Sequence, residues 1–121
     1  MTEKTPWPTE IRLHKDRRTL SVRFDDGAAF DLPAEMLRVL SPSAEVQGHT
    51  PEQRQTVGGK RDVTIAALEP IGNYAVKINF DDGHNTGLFS WSYLRQLGDE
   101  RESRWSDYLN ELAAKGMSRD R

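Results

Sequence analysis

Hydrophobic and polar residues first alternate from Thr9, where Ile11 and Leu13 oppose Arg12 and His14, and then where Leu20, Val22 and Phe24 oppose Ser21, Arg23 and Asp25. A period of two marks a strand with one buried face, so this stretch predicts an antiparallel pair joined by the polar turn Lys15 to Arg18. Asp25-Asp26-Gly27 supplies residues that tolerate positive φ and leads into a third strand at Ala28 to Leu32. Pro33 suits the first turn of a helix in which Met36, Leu37 and Leu40 share a face. The periodicity then stops from Ser41 to Asp62, which predicts a long loop, functional or mobile.

Alternation returns with Val63, Ile65 and Ala67, a turn follows at Pro70 to Asn73, and Val76, Ile78 and Phe80 then oppose Ala75, Lys77 and Asn79. A short strand at Asn85 to Phe89 precedes Ser90, a helix N-cap, and Gly98 reads as the stop of that helix. A last helix is expected over Glu100 to Lys115, with Asp99 as cap, Glu102 three residues on, and Trp105, Tyr108, Leu109 and Leu112 on one stripe packed against the sheet. The charged tail Lys115 to Arg121 is expected to fray. Strand triplets separated by helices indicate an α+β fold with antiparallel pairing.

The tetrapeptide Phe-Asp-Asp-Gly occurs at Phe24 to Gly27 and again at Phe80 to Gly83, each time between an alternating strand and a segment ending in Leu-Arg, Leu37-Arg38 and Leu94-Arg95. The chain therefore reads as two antiparallel three-stranded β units related by an internal pseudo-repeat, with short helices and a C-terminal amphipathic helix. The second copy has one extra residue, and Ala28 in the first corresponds to His84 in the second. Three parts are expected: an extended lead-in over 1–8, a folded domain over 9–98, and a C-terminal helix and tail over 99–121 on the same domain.

Composition narrows the function. A chain of 121 residues, 36% hydrophobic, supports one core that buries roughly two thirds of the unfolded surface. With 17 basic residues among 19 acidic ones and a net charge of −2, it lacks the basic footprint of a nucleic-acid binder. It has no cysteine, which excludes disulfides, thiol nucleophiles and thiolate metal sites. The opening MTEKTPWPTEIRLHK holds no apolar run, so neither leader nor membrane span is expected, and a cytoplasmic location follows.

Few residues point to chemistry. His84 follows the second Asp-Asp-Gly turn and His49 lies in the long loop; with Asp81, Asp82 and Glu45 nearby they form a candidate zinc or iron site, set against the more ordinary reading of histidines that bond locally. Because Ala28 fills the equivalent place in the first copy, the turn itself does not require a histidine. The aspartate pairs Asp25-Asp26 and Asp81-Asp82 suit turns better than acid/base catalysis, since neighbouring side chains diverge. Gly58-Gly59-Lys60 lacks both the earlier glycine and the hydroxyl residue of a phosphate loop and reads as a mobile loop. No nucleophile–base set can be assembled from spacing, so no enzyme is expected. Trp91, Tyr93, Trp105 and Tyr108 suit helix packing, or else a protein-binding surface.

The stretch Met36 to Val46, with Ile78-Asn79-Phe80-Asp81-Asp82-Gly83-His84 and Tyr93-Leu94-Arg95, resembles the gamma-butyrobetaine hydroxylase N-terminal-like domain over about Thr9 to Leu97. The resemblance implies a domain that in the hydroxylases precedes an iron- and 2-oxoglutarate-dependent oxygenase domain and holds a structural zinc through three cysteines and a histidine. It also implies a domain that stands alone in bacteria or is joined to a P-loop ATPase carrying iron–sulfur clusters. Carried onto this chain, the cysteine places fall on Ser41, Ser43 and Val46, and only the histidine place is kept, as His84. Serine hydroxyls are poor zinc ligands and valine is none, so the family's zinc is expected to be absent and no cofactor is expected. The resulting expectation is a non-catalytic interaction module linked to iron–sulfur or metal-cofactor handling. Its protein partner is an ATPase or oxygenase, and its contact surface lies at Ser41 to His49 near His84. The alternative is a metal-binding protein using His84, His49 and acidic neighbours.

Overall fold

The strand at the centre of each half explains the rest. In the computed structural model, which describes residues 6–120, β2 (Thr19–Phe24) buries Leu20, Val22 and Phe24 on one face and is hydrogen-bonded on both edges, by β1 (Pro8–Leu13) and β3 (Ala29–Pro33). β5 (Ala75–Phe80) does the same in the second half, burying Val76, Ile78 and Phe80 between β4 (Ile65–Ile71) and β6 (Leu88–Ser90). All pairings are antiparallel. The fold is α+β, two three-stranded sheets with helices, as the alternation and the repeat imply.

The pseudo-repeat extends further than the shared tetrapeptide. Pro8 pairs with Phe24 and Ile65 with Phe80, and a bulge follows each of these first pairs. Trp7 and Asp25 exchange two hydrogen bonds, Trp7 N–H to Asp25 Oδ1 and Asp25 N–H to Trp7 O; Thr64 and Asp81 exchange the same two. The second bulge explains one departure from the expected alternation: past it Ala67 is exposed and Leu68 turns inward. Pro70 is a strand residue rather than part of the turn, which its place on an edge strand permits. The expected lead-in over 1–8 lies largely outside the described residues.

α1 (Ala34–Val39) buries Met36, Leu37 and Val39, and Leu40 follows at its end; Pro33 is the N-cap rather than the first helical residue. The stretch expected as a loop contains a short helix, α2 (Ala44–Gln47), capped by the Ser43 hydroxyl, and a 3-10 turn at Pro51–Gln53. α3 (Trp91–Asp99) is capped by Ser90, whose Oγ accepts from Tyr93 N–H. Gly98 does not stop it: the residue is buried inside α3, where a Cβ would lie 2.5 Å from ring carbons of Phe30. α4 (Arg101–Ala114) begins directly after α3 through Glu100, so Asp99 caps nothing. It contributes Tyr108 and Leu112 to the core, while Leu109, expected on that stripe, is 39% exposed.

The tail is not frayed over its described residues. Arg119 grips the buried Glu35 through Nε at 2.8 Å and Nη2 at 2.6 Å, and Gly59 N–H donates to Ser118 O. The Gly58–Lys60 stretch is fastened from both sides as well, since Tyr108 O–H donates to Val57 O at 2.6 Å and Arg61 N–H to Arg119 O. Polar residues read as a mobile loop are thus held by α4 and the tail. Among the described residues no helix is long and apolar enough to cross a membrane.

Candidate functional site

The two Asp-Asp-Gly turns have one geometry. Gly27 and Gly83 carry φ of 90° and 91°, which only glycine adopts easily, and the second aspartate of each turn accepts the N–H two residues on, from Ala28 or from His84, at 3.1 Å. That aspartate also receives an arginine from the other half. Arg38 of α1 bonds Asp82 through Nε at 2.8 Å, and Arg95 of α3 bonds Asp26 at 2.7 Å. The repeats therefore brace one another reciprocally, helix to opposite turn.

The environments of the two braces differ. Arg95 and Asp26 lie near the surface, with the guanidinium 5.3 Å from the centre of the Phe24 ring and 5.7 Å from that of Phe30. Arg38 and Asp82 are part-buried, with side chains only 12% and 7% exposed, and Lys60 adds a second cation at 2.5 Å from the Asp82 carboxylate. Burial alone would raise the pKa of Asp82, but Lys60, the His84 N–H and Arg38 together lower it to about 2. Among the described residues, Arg38 Nη1 is the buried side-chain atom without a hydrogen-bond partner.

His84 stands at the centre of the second site and is 4% exposed. Its Nδ1 lies 3.0 Å from Glu45 Oε2 and its Nε2 lies 2.9 Å from Ser41 Oγ. Ser41 Oγ accepts from Ser43 N–H, and Ser43 Oγ lies 2.6 Å from Thr86 Oγ1. Burial first, and then the charge of Arg38, push the His84 pKa below its ordinary value against the opposing pull of Glu45 and Asp82, which favours the neutral ring.

The structure thus draws His84, Glu45, Ser41 and Ser43 together, with Val46 buried on the same short helix. His49 is not among them: it is exposed, and its N–H donates to Gln53 Oε1. Among the described residues no group of three or more His, Cys, Asp or Glu is placed to hold a metal ion. The side chains of Ser41, Ser43, Val46 and His84 do not suit zinc either, being two hydroxyls, an alkyl group that is no ligand, and an imidazole with both nitrogens engaged.

Sequence spacing did not reveal that Ser41, His84 and Glu45 align in the order of a hydroxyl–imidazole–carboxylate relay. The signal was present only as a tertiary contact between α2 and the turn. Ser41 is fully buried, and a Cβ on Gly87 would lie 2.4 Å from its hydroxyl, so no substrate can reach that oxygen in this arrangement.

The corresponding place in the other half is filled differently. Counting from the helix N-caps, Ser41 corresponds to Gly98 and Gly87 to Phe30. One half sets a hydroxyl against a glycine, the other a glycine against a ring, and each fills the gap between a helix end and the opposite sheet.

The family described as Gamma-butyrobetaine hydroxylase-like, N-terminal, matches residues 11–95. The chain belongs to this family. A solution structure determined by NMR is 49% identical to this gamma-butyrobetaine hydroxylase-like N-terminal domain, covers 97% of it and 92% of its own chain, and superposes with a TM-score of 0.83. A second is 46% identical, with coverages of 98% and 90% and a TM-score of 0.82. A crystal structure of a protein of unknown function from Acidithiobacillus ferrooxidans, assigned to the DUF971 family, is 42% identical over 75% of this chain and 91% of that one, with a TM-score of 0.63. No curated protein matches the domain.

Proposed function

We propose that this gamma-butyrobetaine hydroxylase-like domain is a non-catalytic protein-interaction module. The observation that supports this reading is the closed polar group at His84: its two ring nitrogens and the Ser41 hydroxyl are engaged within the domain and shielded from solvent. A nucleophile needs access and a metal needs free donors, and this group offers neither. The second reading, metal binding through His84 with His49, has less support because His49 stands apart from that group.

The proposed contact surface is the outer side of the segment Ser41 to His49, where α2 is held firmly while Glu45 and His49 face solvent, and it continues to the exposed Glu52 in the following 3-10 turn. An anchored segment presents such groups with little ordering entropy left to lose on binding. On this reading the partner is a P-loop iron–sulfur carrier ATPase or an oxygenase, the domain company that the resemblance suggests, and the module serves iron–sulfur or metal-cofactor handling. Capture from cell extract with the full chain tests this, alongside a His49→Ala/Glu52→Lys variant that spares the core. The reading requires an ATPase or oxygenase retained by the native chain and lost with the variant; retention of no such protein would contradict it.

A further inference from the structure

We infer that Ser41 to Gln47 is tethered to the second Asp-Asp-Gly turn by a metal-free chain of hydrogen bonds through His84, and that this protein takes up no zinc there. The direction of each proton follows from the partners. A carboxylate only accepts, so the ring proton sits on Nδ1 and is donated to Glu45 at 3.0 Å. Nε2 is then the acceptor, and Ser41 donates its hydroxyl proton to it at 2.9 Å. Ser41 Oγ in turn accepts Ser43 N–H at 3.3 Å, and Ser43 Oγ accepts Glu45 N–H at 3.2 Å, which closes the chain back onto α2.

Both ring nitrogens of the neutral imidazole are used, so a metal ion would have to displace Ser41 or part Nδ1 from Glu45, and beside the imidazole it would gain only hydroxyl oxygens and one solvent-facing carboxylate, a set unlike that of a closed zinc site. Space is closed as well, by the approach of Gly87 to the Ser41 oxygen on one side and by the Phe80 ring, 6.0 Å between centroids from His84, on another. The other half makes the point independently. Its equivalent gap is filled by the Phe30 ring packed on Gly98, a contact that involves no polar group. Filling the gap between helix end and turn is what the architecture demands, and the hydrogen-bond chain is one way to meet that demand.

The test uses the untagged full chain. Its zinc content is measured after dialysis, and its thermal unfolding is followed with added zinc chloride or with EDTA, beside Ser41→Ala and His84→Gln. The tether predicts substoichiometric zinc and a midpoint moved by neither addition. It further predicts that Ser41→Ala lowers the midpoint by roughly 5 °C or more, equally with and without EDTA. Zinc near one equivalent, or a midpoint that zinc raises in the native chain but not in His84→Gln, would overturn it. An unchanged midpoint in Ser41→Ala would also overturn it. Should Ser41→Ala fail to fold, the zinc measurement on the native chain still decides.

Discussion

Arg38 and Asp82 are joined at 2.8 Å across the two halves of the chain, and the pair has a counterpart in Arg95 and Asp26 at 2.7 Å, with the direction between halves reversed. The same exchange occurs once largely shielded from solvent and once near the surface. Removing one partner of a fully buried pair leaves an uncompensated charge and costs about 3–5 kcal/mol; the cost here lies at the lower end because the pair is part-buried and Lys60 remains on Asp82. Arg38→Met should therefore lower the unfolding free energy by about 3 kcal/mol. Arg95→Met should lower it less, with an effect that shrinks as salt is added. Urea unfolding at low and high ionic strength measures both, and equal losses would deny the difference in burial.

The contact between Gly98 and Phe30 predicts a size-dependent coupling. Alanine ordinarily favours a helix over glycine, yet here its methyl group would meet the Phe30 ring at 2.5 Å, and overpacking of that kind costs about 1–3 kcal/mol. Gly98→Ala is expected to destabilise, and Phe30→Leu to recover part of the loss when combined with it. A double-mutant cycle in urea reads the interaction directly, and simple additivity would refute the close approach.

The anchored tail is expected to contribute strongly to stability. Glu35 is buried in α1, and Arg119 bonds both of its carboxylate oxygens while lying 5.3 Å from the centre of the Trp105 ring. Arg119→Ala strands that carboxylate and should cost about 3 kcal/mol, whereas Glu35→Gln with Arg119→Ala should cost less. A chain whose urea midpoint is indifferent to Arg119→Ala would show that the tail is loose.

Tyr108 predicts the alkaline limit of stability. Burial first, and then the charge of Glu35, push its phenol up to about 12, against an opposing pull from Arg119. Below pH ~10 the phenol keeps its proton in both folded and unfolded chains, and its contribution is complete. Between there and about 12 the unfolded chain releases the proton first, so it binds fewer protons than the folded chain and stability falls as pH rises. Tyr108→Phe should flatten that fall, as seen in urea midpoints across the range, and an absorbance titration should show a late-ionising phenol that the variant lacks.

Much of the fold was legible because its signals are local. Leu20, Val22 and Phe24 alternate within one strand, Ser90 caps a helix three residues from its target, and Gly83 permits its own turn. What was misread depends on distant contacts. Gly98 looks like a helix stop until Phe30 is placed against it, and Lys115 to Asp120 looks loose until Arg119 finds Glu35. The candidate site divides in the same way. His84 stood out from Ala28 by comparison of the two copies, whereas its partner Glu45 and the hydroxyl direction of Ser41 appear only when α2 meets the second turn.

The central claim is that His84 is a neutral, doubly hydrogen-bonded tether rather than a metal ligand, and its ring nitrogens report on this directly. Long-range proton–nitrogen NMR of the full chain at neutral pH, with and without one equivalent of zinc, should give one protonated nitrogen assigned to Nδ1 and one unprotonated acceptor assigned to Nε2. Zinc should change neither. A ring protonated on both nitrogens, the opposite tautomer, or an Nε2 or Nδ1 signal displaced by zinc would contradict the account.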